Sequence, residues 1–356
     1  MSLEKRIDAL TGIRGIAALL VVYAHLTDNG FFSINPLHPG EIGVMVFFTL
    51  SGFLMAFLYG EKDFGYDAAV RYGIARFARI APAYLFVVIA SYLIYNLVDD
   101  QFVYAITNHN LLRHLLFSGN ISALWSIPPE VQFYLVFVGL WFALWRFKTQ
   151  GNAGFFAMML AAIFVLISYR ADLPGTFVGS TVQYFFSGVV FGLLRSKVAS
   201  NKGAGSFVVL QLAVVALIAL VVTGIIPLEV GSKRDLYNHL EAALFSGIFV
   251  FLFSFNTSLG KLLFCNRLTM MCGECSFSLY LLNLPVIYVG LKLMGDHFHT
   301  PTMAALIAFA IVALAWAMYQ GVELPGSALF RRVGTRWAQA VRPAAVLAAA
   351  DASVIK

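Results

Sequence analysis

Charged residues are scarce in this sequence. Asp, Glu, Lys and Arg make up 12% of its 356 residues, while hydrophobic residues make up 60%. Soluble domains contain about 25% charged and about 45–50% apolar residues. The chain also lacks a polar stretch long enough to fold as a separate soluble domain. These deficits exclude an ordinary soluble protein and predict that the chain folds within a membrane.

Cysteine is scarce as well, and patterns that bind metals or phosphates are missing. Three cysteines are too few for a disulfide framework, and Cys272-Gly-Glu-Cys275 has neither a second cysteine pair nor histidines at zinc-ligand spacing. The sequence contains no phosphate-binding glycine loop and no serine nucleophile elbow. The net charge of +6 comes from basic residues scattered over many connections. We therefore predict no metal site and no nucleic-acid partner.

Long apolar runs are abundant instead. The hydrocarbon core of a bilayer is about 30 Å thick and requires about 20 apolar residues per helix. Ten runs approach this length, at residues 9–27, 41–60, 80–98, 127–147, 154–170, 176–195, 207–226, 240–257, 276–294 and 302–323. We therefore predict an all-α integral membrane protein, a bundle of about ten transmembrane helices. The polar connections are expected to be loops or amphipathic pieces, at 28–40, 60–79 and 99–126.

The distribution of basic residues predicts the topology. With ten spans, the two termini and the connections on their side carry 18 of the 24 Lys and Arg residues, whereas the opposite connections carry five. Because positive residues accumulate on the cytoplasmic side, we expect both termini to be cytoplasmic. We place a transmembrane domain at residues 1–330 and a basic cytoplasmic tail at 331–356.

Two ionisable residues in the first apolar run indicate a functional site. Arg14 and His25 are 11 residues apart, so on an α-helix they share one face, about 16 Å from each other. Asp28 lies one turn beyond His25 and can reach the same face. Ionisable groups at membrane depth are usually functional, and a histidine whose tautomer is fixed by a carboxylate can act as a general base. The structural alternative is a histidine bonded to a neighbouring helix and an arginine that extends to the interface.

Four further residues are candidates for the same site. Arg76 and Arg79 are i and i+3 neighbours, and two guanidinium groups can hold one polyphosphate. The alternative for this pair is a cytoplasmic charge anchor. Glu130 follows two prolines at the start of the fourth run, where a purely structural role is equally open. Ser51 lies inside the second run, where small residues usually indicate close helix packing.

These residues belong to six short motifs that occur in a fixed order. The motifs are Arg14 with His25, Phe47-Phe48-x-x-Ser51-Gly52-Phe53, Arg76-x-x-Arg79-Ile80-x-Pro82, Leu124-Trp125-Ser126-x-x-x-Glu130-x-x-Phe133-Tyr134, Ser276-x-Ser278-x-Tyr280 and Glu323-x-Pro325. In order and spacing they resemble the membrane acyltransferase-3 family, in its polysaccharide O-acetyltransferase type. The resemblance covers nearly the whole chain, and the chain ends too early for the SGNH domain that some members carry.

The resemblance implies an enzyme of the bacterial inner membrane that transfers acetyl from acetyl-CoA to a sugar hydroxyl of a surface or exported polysaccharide. It implies that His25 is the essential histidine, as general base or transient acyl carrier, with Arg14 as its partner. The predicted catalytic residues are Arg14, His25, Asp28 and Glu130. The predicted acetyl-CoA-binding residues are Arg14, Ser51, Arg76 and Arg79. The expected partners are acetyl-CoA, a polysaccharide or lipid-linked sugar acceptor and membrane lipids.

One departure from the family and one alternative function accompany this prediction. Many relatives have a histidine where this chain has Asn283, so the role of that histidine is not expected here. The alternative is a secondary transporter or flippase in which Arg14, His25 and Glu130 form an intramembrane polar path. The sequence shows no internal repeat of the kind common in transporters. We therefore prefer acyl transfer.

Overall fold

The polypeptide forms α-helices joined by short connections. The computed structural model describes residues 7–33, 35–198, 204–227, 231–295 and 299–340, and within these ranges it contains no β-strand. The α-helices are α1 (Asp8–Asp28), α2 (Pro39–Tyr59), α3 (Tyr66–Leu97), α4 (Leu111–Leu115), α5 (Ile127–Gln150), α6 (Ala153–Ser168), α7 (Val182–Lys197), α8 (Ala204–Val222), α9 (Lys233–Asn238), α10 (Leu240–Phe253), α11 (Ser258–Phe264), α12 (Arg267–Glu274), α13 (Ser276–Met294), α14 (Pro301–Met318) and α15 (Leu324–Ala340). The helical fold class predicted from the sequence is confirmed.

Six helical segments in the described ranges are long and apolar enough to cross a membrane. They are Asp8–Asp28, Pro39–Tyr59, Tyr66–Leu97, Ser122–Gln150, Ser276–Leu293 and Pro301–Ala340. A seventh span is obtained if α10 and α11, which meet at a bend of 110°, count as one broken span. The helices α6 and α7 have 16 residues each, and at 1.5 Å per residue they reach only about 24 Å. The predicted count of ten spans is therefore not confirmed.

The third helix extends well beyond the predicted run. Residues 60–79 were expected to be a loop or an amphipathic piece, but α3 begins at Tyr66 and continues for 32 residues. This correction has a tertiary cause, because α15 packs along the polar half of α3, with Gly326 against Pro82 and Phe330 against Phe77. A second helix can stabilise a polar segment that hydropathy alone assigns to a connection.

The second helix packs very closely against α7. Gly52 lies directly against the backbone carbonyl of Phe185, and Gly188 of α7 lies directly against the backbone carbonyl of Thr49. A side chain at either glycine would collide with the main chain of the neighbouring helix, so only glycine permits this distance. The contact fixes the rotation of α2 and directs its opposite face, which carries Ser51, towards the interior.

Candidate functional site

A cavity of about 220 Å³ lies among α1, α2, α3, α5 and α13. Five of the residues predicted from the sequence line it, namely Arg14, Ser51, Arg76, Arg79 and Glu130. They come from four helices that are distant in sequence. The structure therefore brings together every predicted donor-binding residue and one predicted catalytic carboxylate.

The Glu130 carboxylate is held by two hydroxyl groups. Ser51 Oγ and Tyr134 OH each donate a hydrogen bond of 2.8 Å to Glu130 Oε1. Tyr134 stands one turn after Glu130 on α5, so its ring reaches back along the same helix face. Tyr72 of α3 in turn donates to the backbone carbonyl of Tyr134 at 3.1 Å. Glu130 therefore has a fixed position at the junction of α2, α3 and α5.

The cavity wall contains more positive than negative charge. Arg14 donates to Ser276 Oγ at 3.0 Å, and the Arg76 guanidinium lies 6.0 Å from the ring centre of Tyr72. The buried Nε of Arg76 has no hydrogen-bond partner within the described ranges. The charges of Arg76 and Arg79 both act on the Tyr134 hydroxyl. Three guanidinium groups against one lining carboxylate form a site suited to an anionic ligand.

Two aromatic rings line the far end of the cavity. Phe47 of α2 and Tyr280 of α13 line the cavity, with ring centres 6.4 Å apart. Ser126 donates to Tyr280 OH at 2.8 Å, and Tyr280 OH donates to the carbonyl of Ala123 at 2.6 Å. These bonds hold the Tyr280 ring across the end of the cavity. Sequence reasoning did not select Ser126 or Tyr280 as site residues, although both stand in the quoted motifs.

His25 lies beyond this aromatic wall and does not line the cavity. Two helices locate it independently: Gly40, one turn before the lining residue Val44, packs against Ala24, and Asn283, one turn after Tyr280, contacts His25. Nδ1 of His25 and Oδ1 of Asn283 are 2.6 Å apart. The imidazole is therefore about one helical turn, or about 5 Å, past the end of the cavity.

The carboxylate of Asp28 pairs with a lysine and not with the imidazole. It forms an ion pair with Lys233 of α9 at 2.9 Å, and Lys233 also lies 3.8 Å from Glu41. Burial favours the neutral amine, but the hydrogen bond that Lys233 donates to Asp28 and the charge of Glu41 outweigh it, and the pKa of Lys233 is raised. The sequence placed Asp28 where it can reach the face of His25; in the structure its carboxylate is bonded to Lys233 of α9, and Nδ1 of His25 lies against Asn283.

A second carboxylate near the site, that of Glu323, stands in the quoted motif Glu323-x-Pro325 but was not selected as a site residue. Glu323 lies in a π-helical turn at Tyr319–Glu323, between α14 and α15, and Ser278 Oγ donates to its Oε2 at 2.8 Å. The side chain is 6% exposed, and the charge of Arg79 acts on it. Such turns often occur at functional sites. The hydrogen bond between Ser278 and Glu323 joins α13 to the end of α14 beside the cavity.

These helices and the cavity between them define a multi-pass helical membrane protein with a buried, arginine-lined cavity. Residues 7–320 match the family described as an acyltransferase domain, and the chain therefore belongs to this acyltransferase family. It is 27% identical to acyltransferase MdmB of Streptomyces mycarofaciens, over 87% of this chain and 88% of that protein. A shorter match, 40% identical over 84 residues, is to protein 2 in the picA locus of Rhizobium radiobacter, covering 23% of this chain and 41% of that protein. No solved structure matches the chain.

Proposed function

We propose that this membrane acyltransferase moves an acetyl group from acetyl-CoA to a sugar hydroxyl of a surface or exported polysaccharide, or of a lipid-linked precursor, in the bacterial inner membrane. The observation that carries the proposal is the cavity in which Arg14, Arg76 and Arg79 converge. Guanidinium groups are the natural partners of phosphate oxygens. Acetyl-CoA supplies both the phosphates and an activated acyl group.

The cavity dimensions indicate how the donor binds. A volume of about 220 Å³ is below the roughly 300–1,000 Å³ typical of sites that enclose a whole ligand. The cavity therefore holds only part of the donor, with phosphates at Arg76 and Arg79 and the thioester arm directed along α1 towards Tyr280. The thioester reaches His25 when the rings of Phe47 and Tyr280 separate.

His25 then acts as the general base. Its Nε2 takes the proton of the acceptor hydroxyl while the hydroxyl oxygen forms a bond to the thioester carbonyl carbon. The carbon–sulfur bond breaks, the CoA thiolate leaves, and the protonated imidazole returns the proton to the thiolate sulfur. Asp28, Lys233 and Glu41 lie at the same end of α1 and form a charged rim for the acceptor.

The test compares His25→Ala with His109→Ala, a variant of an exposed histidine in the connection after α3. Cells that produce each form are compared for ester-linked acetyl on their glycans and for release of CoA from acetyl-CoA by isolated membranes. We expect His25→Ala to abolish both signals at normal membrane levels and His109→Ala to retain them. Full acetylation by His25→Ala would overturn the proposal, and solute flux without CoA release would favour the transporter alternative.

A further inference from the structure

The amide of Asn283 is held in one orientation by its own helix. This side chain is fully buried, and its Nδ2 donates to the carbonyl of Tyr280 at 2.7 Å and to that of Leu279 at 3.3 Å. Carbonyl oxygens only accept hydrogen bonds, so the group that faces them must be the NH2. If the amide were reversed, its oxygen would lie against the carbonyl oxygens of both Tyr280 and Leu279. Oδ1 of Asn283 is therefore the atom that faces His25.

This orientation determines the tautomer of His25. Oδ1 is only an acceptor, and it lies 2.6 Å from Nδ1 of the imidazole. Nδ1 must therefore carry the hydrogen, and in the neutral ring Nε2 then carries the lone pair. The donor and acceptor types of the two side chains alone therefore place the hydrogen on Nδ1.

The position of Asn283 along α13 is also fixed. Pro285 has no N–H, so the carbonyl of Leu281, four residues earlier, lacks its helical partner. The hydroxyl of Tyr104, a fully buried residue, donates to that carbonyl at 3.1 Å. An otherwise unpaired carbonyl is satisfied from outside the helix, and this bond anchors the turn of α13 that carries Asn283.

We propose that Asn283 is a positioning residue that holds His25 in the tautomer with the proton on Nδ1, so that Nε2 is the proton acceptor for the sugar hydroxyl. The role of Nε2 as proton acceptor rests on the proposed function, whereas the tautomer of His25 does not. The charged groups that face His25 are Asp28 from its own helix and Lys233 from α9, with Glu41 of α2 behind Lys233. None of them is hydrogen-bonded to Nδ1, which leaves Asn283 as the group that selects the tautomer.

The first test measures the tautomer directly. The full chain, labelled with ¹⁵N in its seven histidine rings, is compared by NMR in detergent with His25→Gln, and the signal that disappears belongs to His25. We expect a protonated Nδ1 and an unprotonated Nε2 in the wild type at neutral pH, and a mixture of tautomers in Asn283→Leu. A proton on Nε2 in the wild type would overturn the proposal, whether or not the variants fold.

The second test measures the consequence for the reaction, as CoA release from acetyl-CoA in membranes that contain the native acceptor. We expect Asn283→Leu to lower kcat at least about tenfold with little change in the KM for acetyl-CoA, because a misset tautomer costs up to about 10⁴ in other histidine-dependent enzymes. Asn283→Asp keeps an acceptor at Nδ1, so its kcat should recover at high pH. The acid limb of its pH–rate profile should move to higher pH. A carboxylate there stabilises the protonated ring.

A matched control separates positioning from folding. Asn96 of α3 also donates to the carbonyl four residues earlier and to that of Ile106, and Asn96→Leu removes both of these bonds without changing a partner of His25. We expect Asn96→Leu to keep the wild-type rate and acid limb. Wild-type kinetics in Asn283→Leu together with an inactive His25→Ala would overturn the role of Asn283 alone. An active His25→Ala would instead overturn the proposed function.

Discussion

At the scale of single residues, Arg76 and Arg79 differ from most arginines near a membrane interface. Both line the cavity, and neither forms an ion pair within the described part of the chain. This arrangement is the one expected of the donor-binding groups proposed above. An anchoring arginine would instead reach towards the headgroups, and on the same helix Arg71 is exposed and lies outside the cavity.

Arg76→Ala should weaken the binding of acetyl-CoA about 10- to 100-fold, the value of one charge-assisted hydrogen bond of about 1.5–3 kcal/mol. Isothermal titration of acetyl-CoA into the protein in detergent measures the effect. Arg71→Ala is the matched control, since Arg71 lies on α3 but outside the cavity. Equal losses in both variants would assign Arg76 to membrane anchoring.

Removal of the Glu130 carboxylate should destabilise the protein. In Glu130→Ala the hydroxyls of Ser51 and Tyr134 lose their acceptor, at about 1–3 kcal/mol for each buried group left unpaired. Glu130→Gln keeps an oxygen at this position and should lose much less. Thermal unfolding in detergent measures the difference, and equal melting temperatures for the two variants would contradict it.

His114 should make the stability depend on pH. It is fully buried outside the predicted spans, and burial, with a smaller contribution from the charge of Arg113, lowers its pKa to about 4. The unfolded chain, with a histidine pKa near 6.5, binds a proton that the folded chain does not bind between about pH 6.5 and 4. The contribution of the neutral His114 to the free energy of unfolding is therefore fully present above about pH 6.5. It is lost as the pH decreases, by up to about 3 kcal/mol.

The measurement is the melting temperature in detergent at a series of pH values between 7 and about 4. His114→Gln serves as the control, because glutamine does not titrate and should remove this part of the slope. A variant that retains the full acid destabilisation would show that other groups cause it.

At the scale of helices, the contact between α2 and α7 governs the site. Gly52→Ala should destabilise the protein and displace Ser51, since the new methyl group meets the main chain of Phe185 and no side-chain rotation relieves it. Gly73→Ala on α3 meets no atom within 4 Å and should be neutral or stabilising by about 0.5–1 kcal/mol. Thermal unfolding of both variants tests the contrast, and equal behaviour would contradict the close packing.

The same scale shows what the sequence could predict. Each apolar run became a helix, because hydropathy reports burial in lipid or protein. The polar start of α3 was missed, since the packing of α15 stabilises it. The sequence also predicted that five residues from different helices share one site, because their motifs were recognised together. These residues are Arg14, Ser51, Arg76, Arg79 and Glu130.

Other contacts could not be foreseen. The pairing of Asp28 with Lys233 joins residues 205 positions apart. Tyr104 bonds to the carbonyl of Leu281 across 177 positions. No local pattern marks either contact, and an uncharged tyrosine in a connection resembles many others. Long-range polar partners of this kind depend on helix packing, which one sequence does not specify by periodicity.

At the scale of the whole molecule, the distribution of basic residues predicts that both termini face the cytoplasm. Arg336→Cys, near the end of α15, should then be protected from a membrane-impermeant thiol reagent in intact cells and become labelled after lysis. His109→Cys, in the connection after α3, should be labelled in intact cells. The wild type, with its own three cysteines, gives the background, and the reverse pattern would invert the predicted topology.

The separation of 11 positions between Arg14 and His25 also restricts how this site can change in evolution. They amount to about three complete turns of α1, and insertion of a single residue would rotate one of the two side chains by about 100° into a neighbouring helix or lipid. The separation can therefore change only in steps of three or four residues, each about 5 Å long. A lineage that altered the distance between these two side chains would have to gain or lose a whole helical turn at once.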